Sequence, residues 1–433
     1  MKPLSCWVAG IVILFTAQTS SAQPKTIVTF SVDNAGVDGM PTCLPLSVPE
    51  EFAKVTNVEL FSKRGNRAWT GVGQLTAPSL VTEKIPPAAK GMIRRDLHFT
   101  YRSDWQGGVA VAELRMKPPD HAEFAWKSKP GEFAELSFDD VPMLRYVHKA
   151  YDNSSPAARD KTYKVFHHLY DPTGMRFITN GGDTNIPMPK NPKDNLYPHH
   201  RGLMYAFNSI TFDGKEKCDT WHAKPGDTHQ SHEGFLATEA GAVLGRHRVA
   251  VDWHGPKKQV FAKEEREMTV YKMGQRTLVE FASRLKTTGG LVKLQGDPQH
   301  AGFQFRAHND VHEQKNDKLT YYLRPDGKGK LGDTRNWDPK KGGPVNLPWD
   351  AGSFMIGSIR YTVAYLNHPT NPGQSRWSER DYARFGCYFE YDLTEKNPLV
   401  VNYRVWLQDG EMTVDQVNEL YKAFTQPPKV TIK

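Results

Sequence analysis

Residues 242–285 read AVLGRHRVAVDWHGPKKQVFAKEEREMTVYKMGQRTLVEFASRL, and this stretch decides the fold. It divides into three strand-length runs, 242–253, 259–271 and 277–285, separated by short turns that contain Gly255 and Gly274. Runs rich in Val, Phe, Tyr and Thr between such turns read as successive antiparallel strands. Upstream, Phe212-Asp213-Gly214-Lys215 is a hairpin signal. Downstream, 300–308, 358–366, 385–391 and 399–407 are further strand candidates. Roughly a dozen strands in this region predict a large antiparallel sandwich or barrel. One helix closes it. Thr413 can cap, Gln416 follows three residues later, and Val414, Val417, Leu420, Tyr421 and Phe424 keep helical spacing.

Toward the N-terminus a smaller β-domain is expected, with strands at Thr26–Val32, 70–75, 96–102 and 109–116. Lys117-Pro118-Pro119-Asp120-His121 reads as a linker. Residues 1–22 carry the marks of a signal peptide: Lys2, the apolar run 7–15, and Ser20-Ser21-Ala22 before Gln23. The expected organisation is therefore a signal peptide (1–22), a small β-sandwich (23–118) and a large β-sandwich carrying the site (122–433). The expected location is periplasmic or extracellular.

Composition narrows the function. The chain of 433 residues has 35 Gly and 30 Pro, which favours turns over long helices. No apolar run beyond the leader approaches about 18 residues, so no transmembrane segment is expected. Net charge is +8 without a basic run or basic helix, and nucleic acid is not an expected partner. Cys43, Cys218 and Cys387 are too scattered for a structural zinc site. Phosphate loop, dinucleotide fingerprint, Gly-x-Ser-x-Gly elbow and Cys/His catalytic patterns are missing from the sequence.

Candidate chemistry gathers in His and Arg. In 300–308, strand alternation sends Ala301, Phe303, Phe305 and Ala307 toward a core. The other face then carries His300, Gln304, Arg306 and His308, with Gly302 leaving space. A plain solvent-facing strand would carry Lys, Glu and Thr there. Tyr197-Pro198-His199-His200-Arg201-Gly202 reads as the start of a strand, where two adjacent histidines can reach one cavity. His222, His229 and His232 follow. Imidazoles are standard zinc ligands, so His199 or His200 with His222 and His232 is a candidate site for a divalent metal. The same groups could transfer protons near neutral pH. A third cluster joins the rigid loop His368-Pro369-Thr370-Asn371-Pro372 to Arg376, Trp377, Arg380 and Tyr382. Arginine forks suit carboxylates and hydroxyls, and aromatic faces suit sugar rings as well as core packing.

Several of these segments carry a resemblance. Pro172-Thr173-Gly174 with Thr179, Pro198-His199-His200-Arg201-Gly202-Leu203, Asp219-Thr220-Trp221-His222, the His368-Pro369-x-Asn371-Pro372 loop and Trp377-x-x-Arg380-x-Tyr382 are its landmarks. From about residue 145 onward the chain resembles an exported bacterial family of unknown function that bears the label "methane oxygenase PmoA". The label does not describe the chemistry here, because a methane-oxidising membrane subunit needs apolar spans of about 20 residues. The resemblance implies a secreted, supersandwich-like β-protein akin to the mutarotases, found among sugar-degradation genes. It carries over no catalytic residues.

The expectation is thus an exported carbohydrate-active protein, an enzyme on a sugar or glycoside with lyase, epimerase or hydrolase chemistry all open. His199, His200, His300 and His308 would supply acid–base groups or metal ligands. Arg201, Gln304, Arg306, His368, Arg380 and Tyr382 would bind substrate, and Trp221 or Trp377 would stack on the ring. A non-catalytic glycan-binding protein and a metal-dependent enzyme on a non-sugar substrate are the alternatives.

Overall fold

The computed structural model describes residues 25–33, 36–64, 67–82, 89–103, 110–115, 121–181, 197, 199–313 and 315–433. The leader reading of 1–22 and the linker positions 117–120 lie outside the described residues. The described chain is mostly β, and its ladders run antiparallel.

Two sheets form the body. A nine-stranded sheet runs His229–Ala240, Leu244–His254, Val260–Lys272, Thr277–Thr287, Leu399–Asp409, Ile359–Asn367, Trp349–Ile356, Tyr321–Arg324, Gly327–Lys328 in spatial order. Its first four strands are the meander expected from 242–285, extended by one preceding strand. An eight-stranded sheet faces it, ordered Arg376–Arg380, Arg384–Tyr388, Ala301–Arg306, Leu203–Phe207, Phe166–Leu169, Val141–Val147, Phe133–Phe138, Phe124–Lys129. One core lies between them and includes Phe303, Phe305, Tyr205, Phe281, Val279 and Tyr403. Alternation decides which side chains enter it. Leu203, Tyr205 and Phe207 point in, whereas Met204 and Ala206 join Val147, Phe166 and Trp221 in a small apolar cluster of their own.

The helix Val414–Thr425 forms where expected. Gln416 N donates to Thr413 Oγ1 at 3.2 Å, and Thr413 N donates to Gln416 Oε1 at 2.9 Å. Val417, Leu420 and Phe424 bury against Trp349, Leu366 and Trp406. Thr413→Ala removes the reciprocal cap and is expected to cost about 1 kcal/mol, read as a lower urea midpoint with unchanged slope.

Six strands within residues 26–115 and one from the C-terminal end make a separate seven-stranded sheet with its own core of Phe30, Leu46, Leu60, Leu97, Phe99 and Leu114. The chain returns to it at the end, where Val430–Ile432 pairs with Thr26–Val32. Polar side chains fix this sheet to the large one. Gln74 Oε1 accepts from the backbone of Val243 and Leu244 at 3.0 and 2.9 Å, and Asn57 Oδ1 from Ala242 at 2.9 Å. No described helix is long and apolar enough to cross a membrane.

Candidate active site

Four segments meet on one side of the eight-stranded sheet. The turn at His199–Gly202 leads into Leu203–Phe207. The loop 219–222 follows Glu216–Cys218, the turn 297–300 precedes Ala301–Arg306, and the turn 380–383 joins Arg376–Arg380 to Arg384–Tyr388. The first turn needs glycine: Gly202 has φ +47°, and a Cβ there would lie 2.2 Å from the carbonyl oxygen of His167. Two non-glycine residues beside the site, Tyr197 (φ +52°) and Ala223 (φ +58°), also hold left-handed backbone. Such conformations persist where surrounding structure fixes them, often at working sites.

Four imidazoles gather there. The His199 ring centroid lies 4.4 Å from that of His200, 4.6 Å from His222 and 5.8 Å from His300. His222 and His300 are 4.9 Å apart. Two carboxylates orient the group: His222 Nδ1 is 2.7 Å from Asp219 Oδ2, and His300 Nδ1 is 3.0 Å from Asp297 Oδ1. Behind them, Lys164 Nζ donates to the carbonyls of His199 (3.1 Å) and Trp221, tying two site segments together. Trp221 is fully buried and stands edge-on to His200 and His300.

Electrostatics favour neutral rings at His199 and His200. Burial, with the Lys164 charge adding to it, brings His199 down to about 2. Burial and then Arg384 push His200 well below its ordinary value. Asp297 falls to about 2: burial opposes ionisation, but the His300 hydrogen bond and charge, the Gln299 N–H and the Asn208 amide outweigh it. His200 is 1% exposed, and among the described residues neither of its ring nitrogens has a hydrogen-bond partner; His199 Nε2 has none either.

A cavity of about 380 Å³ opens here, lined by Tyr197, His200, Gln299, His300, His312, Asp317, Arg380, Asp381 and Tyr382. It mixes aromatic faces with donors and acceptors. A second cavity, of about 160 Å³, lies between the N-terminal and nine-stranded sheets around His98, Arg246 and Tyr271. It contains no expected site residue.

The structure brings His199, His200, His222, His300, Arg380 and Tyr382 together and moves the other candidates elsewhere. His308 lies away from the cluster, 3.2 Å from Asp310 Oδ1 and accepting from the Asp310 N–H. Gln304 and Arg306 are fully buried rather than ligand-facing. Gln304 donates to the Ala301 carbonyl and accepts from Arg384, while Arg306 donates to the carbonyls of Ala307 and Tyr382. Arg306 also lies 4.6 Å from the Tyr382 ring centre, so it supports the cavity wall without lining it. Arg201 turns away from His200, over the Tyr163 ring at 4.4 Å, with its guanidinium on Asp160.

Trp377 lies in the sandwich core, its indole N–H on Ser375 Oγ. His368 packs edge-on against Phe424 of the closing helix. Trp221 supports the histidines from below and offers no open face for stacking. His232 belongs to a different group, 4.5 Å from His148 and hydrogen-bonded to Tyr146, so the metal set of His200, His222 and His232 does not assemble. Among the described residues, the three imidazoles that do offer ligand atoms within 4.8 Å of one another are His199, His222 and His300.

Sequence reasoning missed Asp219, Asp297 and Lys164. Asp219-Thr220-Trp221-His222 and Asp297-Pro298-Gln299-His300 share one Asp-x-x-His spacing, a repeat that marks both carboxylate–imidazole pairs.

The search of curated proteins finds no match. Among solved structures, one titled "Crystal Structure Analysis of HI1317" is similar at 9% identity, covering 66% of this chain and 99% of that chain with a TM-score of 0.25. A score that low relates neither fold nor function. The family model for DUF6807, described as a family of unknown function, matches residues 134–422, which contain the whole site. The chain therefore belongs to the DUF6807 family.

Proposed function

We propose that the protein is an exported, carbohydrate-active enzyme that binds a sugar or glycoside in the cavity beside His200 and moves a proton on it. The observation that carries this reading is His200 itself, buried in the cavity wall with both ring nitrogens unpartnered among the described residues. A buried polar group left unsatisfied costs about 1–3 kcal/mol, and a ligand hydroxyl would satisfy it. A neutral imidazole offers a ligand one lone pair that accepts and one N–H that donates. Tyr197 and Tyr382 offer flat faces to the apolar side of a pyranose, and Arg380 and Asp381 offer a donor fork and an acceptor to its hydroxyls. The signal-peptide pattern read in residues 1–22 supports export. The chemistry fits lyase, epimerase or hydrolase reactions, each of which needs proton transfer at carbon or oxygen.

The test is a thermal-shift panel of neutral and acidic mono- and oligosaccharides, followed by turnover assays on each stabilising sugar. At least one sugar is expected to raise the melting temperature by several degrees at saturation. His200→Ala is expected to lower turnover by about 10²–10⁴-fold, with an unchanged urea midpoint as the folding control. Binding without turnover would make this a glycan-binding protein. Failure of every sugar to bind would overturn the reading.

A further inference from the structure

The geometry points to a divalent transition-metal site, of the zinc type, held by His199, His222 and His300. This inference goes beyond the sugar reading and stands without it. Three imidazole donors from three separate segments converge, their ligand atoms within 4.8 Å of one another. Catalytic zinc sites use three protein ligands and leave a fourth position for water or substrate.

The surroundings match what a metal demands of histidine. A ligating imidazole nearly always gives its other N–H to a carboxylate or carbonyl, which fixes the tautomer and aims the free nitrogen at the ion. His222 and His300 both do so, through Nδ1 to Asp219 and Asp297. Each therefore presents Nε2. Both acceptors are themselves held: Asp219 takes the backbone N–H of His222 at 2.8 Å, and Asp297 takes the backbone N–H of Gln299 at 2.9 Å and the Asn208 amide at 2.6 Å. A simple surface ion pair needs no such support.

The third ligand supplies an independent sign. His199 Nε2 is buried and without a partner among the described residues, which is costly unless something binds there. Adjacent His200 is almost wholly buried and, among the described residues, equally unpartnered, and it is not one of the three ligands. The paired carboxylates of Asp219 and Asp297 bring negative charge to the ion and offset the Lys164 ammonium, which is bonded to the His199 and Trp221 carbonyls. Nitrogen donors select zinc, cobalt, nickel or copper over magnesium and calcium. His300 belongs both to the triad and to the cavity wall, so an ion there would face the cavity as a Lewis acid or as a source of bound hydroxide.

The experiment measures zinc per chain by mass spectrometry, after loading the purified protein with ZnCl₂ and dialysing against metal-free buffer. One zinc per chain is expected. His222→Ala and His300→Ala are expected to lose it, whereas His232→Ala and His308→Ala keep it. Asp219→Asn and Asp297→Asn are expected to bind zinc about 10–100-fold more weakly while retaining the wild-type circular dichroism spectrum, which separates loss of orientation from misfolding. No zinc on the wild-type chain, or full zinc on a His199→Ala/His222→Ala/His300→Ala variant, would overturn the site. Zinc binding with no response to any sugar would confirm the metal centre and defeat the carbohydrate reading, so the two failures are distinct.

Discussion

Glu264→Ala is expected to destabilise the sandwich by about 3–5 kcal/mol, a large loss for a single side chain. Glu264 and Arg266 stand two residues apart on Val260–Lys272, so they share a face, and it is the face of Ala262, Met268 and Val270, which enter the core. Both side chains are fully buried. Glu264 Oε1 accepts from Arg266 Nε at 2.8 Å and Ser283 Oγ at 2.9 Å; Oε2 accepts from Arg266 and from Trp253 Nε1, each at 2.9 Å. Removing the carboxylate strands a guanidinium and an indole N–H inside the sandwich. The control is the double variant Glu264→Leu/Arg266→Met. Replacing a whole buried pair with apolar side chains of similar volume is often neutral or stabilising, so the double variant should recover most of the loss. Guanidinium chloride midpoints decide the matter, and a single variant within about 1 kcal/mol of wild type would show that the pair is not the buried network described.

Acid lability between pH 6.5 and about pH 3 is the second large effect. Burial brings both His168 and His247 down to about 3. His168 is also repelled by Arg145, His308 and Arg201, and it rests on Phe177 with Thr179 on Nδ1. His247 faces His232, Arg266 and His148, with His167 Nε2 at 2.9 Å. Each folded value lies below the unfolded one, so the unfolded chain binds more protons throughout that window. The stability is fully present above pH 6.5 and is lost as pH falls toward 3. Each group contributes about 1.4 kcal/mol per pH unit in the window, so the pair removes on the order of 4 kcal/mol between pH 6.5 and 5. Urea midpoints at pH 7, 6 and 5 should drop steadily. A midpoint that is flat from pH 7 to 5 would contradict the buried, neutral state of these rings.

The surroundings of these buried groups are hidden in the sequence. In Lys263-Glu264-Glu265-Arg266-Glu267 every side chain reads as solvent-facing, yet alternation puts two of them in the core as a closed pair. The strand itself was legible, because β-propensity and turns act locally. The same holds for the helix at Val414–Thr425, whose cap lies within three residues. The site was legible only in part. Alternation correctly sent Phe303 and Phe305 to the core and Gln304 and Arg306 to the other side. It says nothing of what covers that other side, and Arg384, Tyr382 and Asn309 cover it. The expected set of His199 or His200 with His222 and His232 does not assemble, for a related reason. Residues 222 and 300 meet through tertiary packing, and sequence distance favours the nearer residue.

An ion held by His199, His222 and His300 would face the cavity with one position free. Cobalt probes that arrangement at close range, because its visible absorption reports the donors around it. The protein loaded with CoCl₂ and titrated with sodium azide should show a visible band that shifts and saturates, and His222→Ala should show neither band nor shift. A cobalt-loaded chain whose spectrum ignores azide, or a chain that binds no cobalt, would contradict an open three-histidine centre.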